Sequence, residues 1–333
     1  MTPEATTNEP KRGLSARPSL AVVIVNYCTA DLTVAAAHST LDELASLSGV
    51  LVIVDNHSED GSAEALERFR GDSPHRERIT IVLSARNDGF AAGVNRGIEA
   101  IAADFYLLLN SDAAAEPGAI GELLAVAKSN PRAGLVTPTL ANAAGALQSS
   151  RFRRHTPMSE FLDGARTGPL TRLFSGAQVA IPPEDWSTAP DWVSFAAVLV
   201  AADAIAAAGP LDEGYFLYYE DCDYCRRVTQ AGFKIAFAPS ARFRHEEGGS
   251  TKFKEIASQG ERLPAYYYRA RNRYFRRRYG VAGSIAANLA WMFGRAVARL
   301  RGLIGRPTPK VGRGRCRDQW NGWLGSGRDS PNK

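Results

Sequence analysis

Cysteine is scarce in this chain. Cys28, Cys222, Cys225 and Cys316 are too few and too scattered to frame a disulfide scaffold. Cys222 and Cys225 stand at a redox or zinc spacing, but no second pair completes a zinc site, so packing is the reading for both. An apolar leader is also missing. Met1 to Pro18 is polar and rich in proline and threonine, which predicts no secretory signal, a disordered start over 1–18 and a reduced, cytoplasmic setting. No charge-free apolar run of about twenty residues occurs, since the best stretch, Val281 to Leu300, is interrupted by Arg295 and Arg299. Histidine is sparse, and His38, His57, His75 and His155 match no ligand pattern. His245 differs, closing a strand-like segment, Ala-Pro-Ser-Ala-Arg-Phe-Arg-His.

Charge is abundant but unevenly placed. Arg262 to Lys333 holds 17 basic and 2 acidic residues, whereas Met1 to Glu261 holds 23 and 33, so a body of −10 carries a tail of +15. Such asymmetry suggests an anionic partner for the tail, either nucleic acid or a membrane surface. Within it, Tyr266 to Tyr279 mixes aromatics and arginines at near-helical spacing before the apolar stretch from Val281 begins. Residues 261–333 thus read as a basic, amphipathic helical tail lying on anionic lipid headgroups, peripheral to the inner face of the cytoplasmic membrane. A helix packed on the main domain, or an oligomer contact, is the alternative. Nucleic acid ranks last, because no nucleic-acid module precedes the segment.

The body is long enough for a large α/β domain. Leu20 to Asn26 is a continuous apolar run, as expected of a strand buried on both faces of a parallel sheet. A helix follows from about Asp31, its expected N-cap, to Leu47. Val50 to Asp55 is a second strand, with a helix from about Ser62 to Arg70. Ile79 to Leu83 is a third, with a helix opening over Asn87 to Gly97 and running to about Ala103. Phe105 to Leu109 is the fourth strand, and a helix spans about Gly118 to Ser129. That rhythm predicts a doubly wound sheet, whose ligands bind beyond the carboxyl ends of the strands. Asn26, Asp55 with Asn56, Arg86 to Asp88 and Asn110 to Asp112 gather there. From about Leu147 to Pro190 the chain reads as long loops, consistent with an acceptor-side lid. Trp192 to Val200 returns as a strand and Asp203 to Ala208 as a short helix.

The densest chemistry follows. Glu220, Asp221 and Asp223 sit directly behind Tyr215, Phe216, Tyr218 and Tyr219. Rings that exclude water raise a carboxylate pKa, which is how a general base is tuned. A helix start with acids complementing its dipole explains Glu220 and Asp223 alone, but not the rings.

Taken in order, Val22–Tyr27, Ile53–Ser58, Asn87–Gly97, Leu107–Asp112, Gly209–Phe216, Tyr219–Asp223 and Phe243–His245 resemble the inverting family-2 glycosyltransferases of GT-A fold, nearest the rhamnosyltransferase-like branch. The resemblance implies a catalytic domain over 19–260, with a nucleotide-binding half (19–112) and an acceptor and catalytic half (113–260). It assigns Asp55 to a uracil or thymine N3–H and lets Gly89, Gly93 and Gly97 admit the backbone to the nucleotide, with Asn95 fixing the loop or touching the donor. Asn26, Asn56, Arg86, Asn87, Asn110 and Ser111 complete the donor-binding set. Asp112 and His245 become the ligands of Mg²⁺ or Mn²⁺. The commoner Asp-x-Asp is here Asn110-Ser-Asp112, one negative charge short. Asp221 is then the base for the acceptor hydroxyl, with Glu220 as rival or acceptor-binding group, while Arg226 or Arg227 pairs with the acids or the diphosphate. The expected partners are a nucleotide-diphosphate sugar and a glycan or lipid-linked acceptor.

Two other classes stay open. A sugar nucleotidyltransferase would carry a glycine-rich basic loop after the first strand, where Asn26 to Asp31 has neither glycine nor lysine. A catalytically inactive sugar-binding protein would suit Asn110, but not the presence of both Asp112 and Asp221.

Overall fold

The computed structural model describes residues 18–246, 256, 259–306, 311–312 and 314–323. The start predicted to be disordered, apart from Pro18, and the chain end after residue 323 lie outside the described residues. The strands are β1 (Leu20–Asn26), β2 (Gly49–Asp55), β3 (Ile79–Leu83), β4 (Phe105–Asn110), β5 (Ala113–Ala115) and β6 (Ala133–Ala141), then the short β7 (Leu147–Gln148), β8 (Arg151–Phe152) and β9 (Trp192–Val193), and finally β10 (Ala197–Ala201) and β11 (Lys234–His245). One sheet takes the order β3-β2-β1-β4-β10-β6-β11-β5, with β7 added on β6. Its first four strands run parallel, β10 is antiparallel to both neighbours, and β11 runs parallel to β6.

Each apolar strand feeds both faces of this sheet, as period-two alternation requires. Leu20, Val22 and Ile24 of β1 join a core capped by α1 (Ala30–Ser46), α2 (Ser62–Asp72) and α4 (Ala119–Ser129). Ala21 and Val23 join the opposite core, beneath α3 (Phe90–Ala100), α7 (Ala202–Ala208) and α8 (Glu220–Gln230).

Several expected boundaries move. Thr29, not Asp31, is the N-cap of α1, and Asp31 sits in its first turn, where it still complements the dipole. α3 starts at Phe90, because Gly89 at φ 95° cannot belong to a helix, and stops at Ala100, where Ile101 turns extended. The segment from 147 to 190 is not a set of bare loops. It contains α5 (Pro157–Ala165) and α6 (Gly168–Leu173), and α5 opens on a reciprocal Thr156–Ser159 capping box with a proline in its first turn.

The largest revision concerns the C-terminus. α9 (Ala265–Leu303), bent at Gly280, packs on α5 and α8, and a short α10 (Arg315–Asp318) follows. Its basic residues find the acidic body: Arg271 with Glu160, Arg273 and Arg277 with Asp212, and Arg315 with Asp163. Arg262, just before α9, pairs with Asp318 at the end of α10. Part of the charge asymmetry is therefore consumed within the chain. Arg271 is 1% exposed and places both Nε and Nη2 on Glu160 Oε2, at 2.9 and 2.7 Å. Trp291, inside the stretch read as lipid-facing, is 1% exposed and donates Nε1–H to Asp163 at 2.9 Å.

The crossing of α5 and α9 rests on two glycines. A Cβ on Gly164 would lie 2.3 Å from Trp291 O, and one on Gly294 would lie 2.2 Å from Phe161 O. Gly294→Ala should therefore force the helices apart and destabilise the chain by about 1–3 kcal/mol in urea unfolding. Gly121→Ala, on α4 with nothing near the added carbon, should instead stabilise it by about 0.5–1 kcal/mol. Equal effects of the two substitutions would refute the close crossing.

Candidate active site

Parallel β1, β2 and β4 end side by side, with Asn26 opposite Asp55 and Val25 opposite Asn110. Buried Asn26 donates to Asp55 Oδ1 at 2.7 Å and to Ser58 Oγ at 3.2 Å, while its oxygen accepts from Thr33 and Thr29. Ser58 N–H holds Asp55 Oδ2 at 2.9 Å. Thr29 continues to Ser111 Oγ at 3.3 Å, linking the ends of β1 and β4. Asn26 is thus fully engaged in fixing the carboxylate of Asp55, which keeps the capacity to accept a further hydrogen bond.

The loop into α3 is equally fastened. Asn56 donates to Asn87 Oδ1 at 2.8 Å and to Gly89 O at 3.0 Å, and Asn87 Oδ1 also takes Gly89 N–H at 2.9 Å. Arg96 joins Asn56 and Asp88, and Arg86 pairs with Asp88 at 2.7 Å. Asn56 and Asn87 therefore set the loop's shape, and Arg86 stands at its surface. Asn95 is buried and exchanges both amide bonds with the backbone of Leu211, at 3.0 and 2.9 Å, so it fixes the loop rather than touching a donor. Gly93 and Gly97 also depart from expectation. Added carbons there would strike Val25 at 2.8 Å and Val23 at 2.4 Å, so their smallness serves the packing of α3 on β1. Gly89 alone marks a close backbone approach, and what approaches it is Phe216: Phe90 N–H donates to Phe216 O at 2.8 Å.

That contact delivers the acidic motif to the strand ends. Tyr218 and Tyr219 are both left-handed, at φ 72° and 67°, a strained state for bulky residues. Residues from α9 keep them so: Tyr218 lies against Tyr266 and Tyr267, and Tyr219 against Tyr267 and Tyr274. Asp212, gripped by Arg273, caps Gly214 N–H at 3.0 Å just upstream. These supporting residues were not foreseen from sequence. The interleaved rings and arginines of Tyr266 to Tyr279 were the available signal.

At the start of α8 the acids take different environments. Asp223 is buried and held by Arg226 at 2.7 Å and Arg227 at 2.9 Å, so both arginines serve the acid cluster. Glu220 is buried, and its Oε2 has no hydrogen-bond partner among the described residues; burial, then the neighbouring Asp221, pushes its carboxyl well above the usual range. Asp221 is half-buried and accepts Cys222 N–H at 2.7 Å. Burial lifts it to about 6. Cys222 and Cys225 are buried thiols raised far above ordinary values by desolvation, hence inert packing groups.

Asp112 and His245 meet where β5 pairs with β11, and Glu246 N–H bonds Asp112 O at 3.0 Å. His245 Nε2 stands 3.5 Å from Asp112 Oδ1. Adjacent ligands of an octahedral Mg²⁺ lie about 3 Å apart, so this mixed O/N pair is compatible with a divalent cation after slight closure. Among the described residues no cluster of three or more His, Cys, Asp or Glu side chains suited to a metal occurs. The remaining ligands would be donor oxygens and water.

The profile of Glycosyltransferase like family 2 matches residues 18–263. The N-acetylglucosaminyl-diphospho-decaprenol L-rhamnosyltransferase of Mycobacterium tuberculosis is 26% identical over 225 residues, covering 60% of this chain and 67% of that one. The low-salt glycan biosynthesis hexosyltransferase Agl10 of Haloferax volcanii is 25% identical over 224 residues, 65% of this chain and 63% of its own length. Among solved structures, a Pyrobaculum calidifontis mannosyltransferase in complex with GDP-Man and Mn²⁺ superposes with TM-score 0.56 at 14% identity, over 88% of this chain and 77% of that one. GalNAc-T7 with UDP, GalNAc and Mn²⁺ gives 0.53 at 15%, over 76% and 48%. With three quarters of its length inside the family profile and this sheet beneath it, the chain belongs to glycosyltransferase family 2 and has the GT-A fold.

Proposed function

We propose that the protein is an inverting glycosyltransferase that moves a hexose, rhamnose first among the candidates, from a dTDP- or UDP-sugar to a saccharide or lipid-linked saccharide in polysaccharide or cell-wall assembly. The observation that carries this is the pair of acids opening α8. Asp221, lifted to about 6, stays largely ionised at neutral pH, whereas burial and the neighbouring Asp221 push Glu220 well toward its neutral form. Neighbouring carboxyls pushed to different protonation states are a signature of divided acid–base roles. Asp221 accepts the proton of the acceptor hydroxyl as that oxygen bonds to the anomeric carbon. The carbon–oxygen bond to the diphosphate breaks, and the nucleoside diphosphate departs with the electron pair. One carboxylate on the attacking side implies a single displacement with inversion through an oxocarbenium-like state. Asp55 would take the nucleobase N3–H. Asp112 and His245 would hold the divalent cation, which when bound offsets charge on the leaving diphosphate. Mn²⁺ accompanies both solved neighbours, which supports that pair's role. Family membership leaves the nucleotidyltransferase and inactive-binder alternatives without support.

Peripheral attachment to the inner face of the membrane belongs to the same proposal, because the M. tuberculosis relative is named for a decaprenol-linked substrate. α9 passes the length and composition test for a membrane span, with 39% of its most apolar window buried against the protein. Its outer face exposes Leu289, Phe293 (66%), Leu300 and Leu303 (84%), with Ile304 just beyond. Exposed Arg299 and half-buried Arg301 flank them. That arrangement supports a helix lying in the lipid interface, on the side opposite Trp291.

Asp221→Asn should preserve donor binding and the melting temperature while lowering kcat by several orders of magnitude, and Glu220→Gln should cost far less. The wild-type rate should fall below pH about 6 as Asp221 becomes protonated and plateau above it. Near-normal turnover in Asp221→Asn with an inactive Glu220→Gln would transfer the role to Glu220.

Asp112→Ala and His245→Ala should each weaken nucleoside-diphosphate binding about 10- to 100-fold with Mn²⁺ present and little without it, measured by calorimetry. Activity unchanged by EDTA would remove the metal from the scheme.

The full chain should co-sediment with anionic liposomes and be released by salt, since each basic residue near the surface contributes about 1 kcal/mol. Leu289→Ser with Phe293→Ser should abolish that attachment without altering donor binding. Binding unaffected by the double substitution would exclude this face as the anchor.

A further inference from the structure

A cavity of about 490 Å³ lies between α5, the chain after α6 and the C-terminal elements α9 and α10. Its size is that of a site for a small organic ligand. None of the residues read for donor, metal or base lines it, yet Tyr219 forms part of its wall, so it begins one residue before Glu220 and Asp221. We propose that this cavity is the acceptor site and that it takes a saccharide carried on a phosphate or diphosphate. The inference rests on the glycosyl-transfer reading and adds to it the place and chemical class of the acceptor.

Three features of the walls match such a head group. Tyr219 and Tyr267 present rings, with their hydroxyls 3.5 Å apart, and amphipathic rings with polar edges suit a sugar. Two buried polar atoms lack partners among the described residues: Arg315 Nε, a donor, and Gln319 Oε1, an acceptor. Both side chains line the cavity, and neither has its hydrogen-bonding capacity filled among the described residues. The charge balance then favours an anion. Arg271 is neutralised by Glu160, whereas Arg166 and Arg315 share the one carboxylate of Asp163, each at 3.2 Å. Burial holds His155 near 4, so it adds no charge at neutral pH. The fork of an arginine is suited to phosphate oxygens.

The surroundings agree with a carrier-bound sugar. Phe161 of α5 stacks with Phe293 of α9 at 5.8 Å, and Phe293 belongs to the exposed apolar face described above. The same two helices thus supply polar walls to the cavity and an apolar exterior beside it. A phosphosugar in the cavity would put its hydroxyls toward Tyr219 and its carrier toward that exterior.

The test is calorimetry on the full chain with a hexose joined through diphosphate to a short alkyl chain, alongside hexose 1-phosphate and inorganic diphosphate. The alkyl diphosphohexose should bind the wild type. Arg315→Lys keeps a charge for Asp163 but removes the guanidinium fork, and Gln319→Leu keeps much of the size but removes the amide. Each should weaken binding about tenfold or more, with melting temperature and UDP or dTDP affinity unchanged. Equal binding of hexose 1-phosphate supports the same site with a soluble phosphosugar as occupant. Absence of binding to the wild type, unchanged affinity in both variants, or inorganic diphosphate binding as tightly as the sugar conjugate would each overturn the proposal. Asp221→Asn should bind the probe normally. Binding that persists while no donor supports turnover in the wild type would separate a failure of the transfer reading from a failure of this site.

Discussion

Two consecutive tyrosines, Tyr218 and Tyr219, hold left-handed backbone conformations immediately before the acids of α8, and the rest of the active site depends on that turn. Strain of this kind costs on the order of 1–3 kcal/mol per residue and persists only where packing over-determines it. Here the packing comes from α9, through Tyr266, Tyr267 and Tyr274, and from Arg273 gripping Asp212 upstream of the turn. On its other side the same loop is tied to Gly89, where no side chain would fit beneath Phe216. The loop is therefore a bridge, held at one end by Gly89, Phe90 and Asn95 and at the other by the C-terminal helix. The C-terminal helix is a structural part of the candidate active site, whatever else its outer face does.

The charge division of the chain gains a physical account from this. Arginines from one end of the sequence neutralise Glu160, Asp163 and Asp212, two of which lie on α5, over a hundred residues away. Burying Arg271 and Glu160 together is not in itself a large source of stability, because desolvation offsets most of the attraction. Leaving either alone would be costly, and that asymmetry enforces one register of α9 on α5. The glycine crossing at Gly164 and Gly294 fixes the same register sterically. The basic tail and the acidic body are thus partly each other's counterions, while Arg299 stays on the exposed side.

Much of the sheet was legible in sequence. Buried parallel strands read as unbroken apolar runs, and β1, β2, β3 and β4 appear within a residue or so of expectation, their polar ends gathered on one edge. The helices of the 147–190 segment were hidden by arginine, proline and glycine, although the Thr156–Ser159 capping box and Pro157 were signals for α5. Gly93 and Asn95 show a different limit. A glycine-rich stretch with an asparagine looks the same whether it faces a nucleotide or a neighbouring strand, and only the side on which each residue lands separates the cases. The tail was read from its composition as a lipid-facing helix. Composition does not reveal that Arg271, Arg273, Arg277 and Arg315 have acidic partners in the body.

The two acids of α8 show what the fold adds to a motif. As a string, Glu220 and Asp221 are interchangeable candidates, each behind the same rings. Placed at the helix start, they differ by exposure: Glu220 is enclosed, with one oxygen unpartnered among the described residues, while Asp221 is half-open and holds a backbone amide. Enclosure favours the neutral form, and partial access with a hydrogen-bond donor favours the ionised one. Burial raises both carboxyls, and the hydrogen bond to Cys222 N–H opposes that rise at Asp221. The rings beside the motif therefore act twice, tying the turn to α9 and leaving Asp221 the more accessible of two adjacent carboxyls.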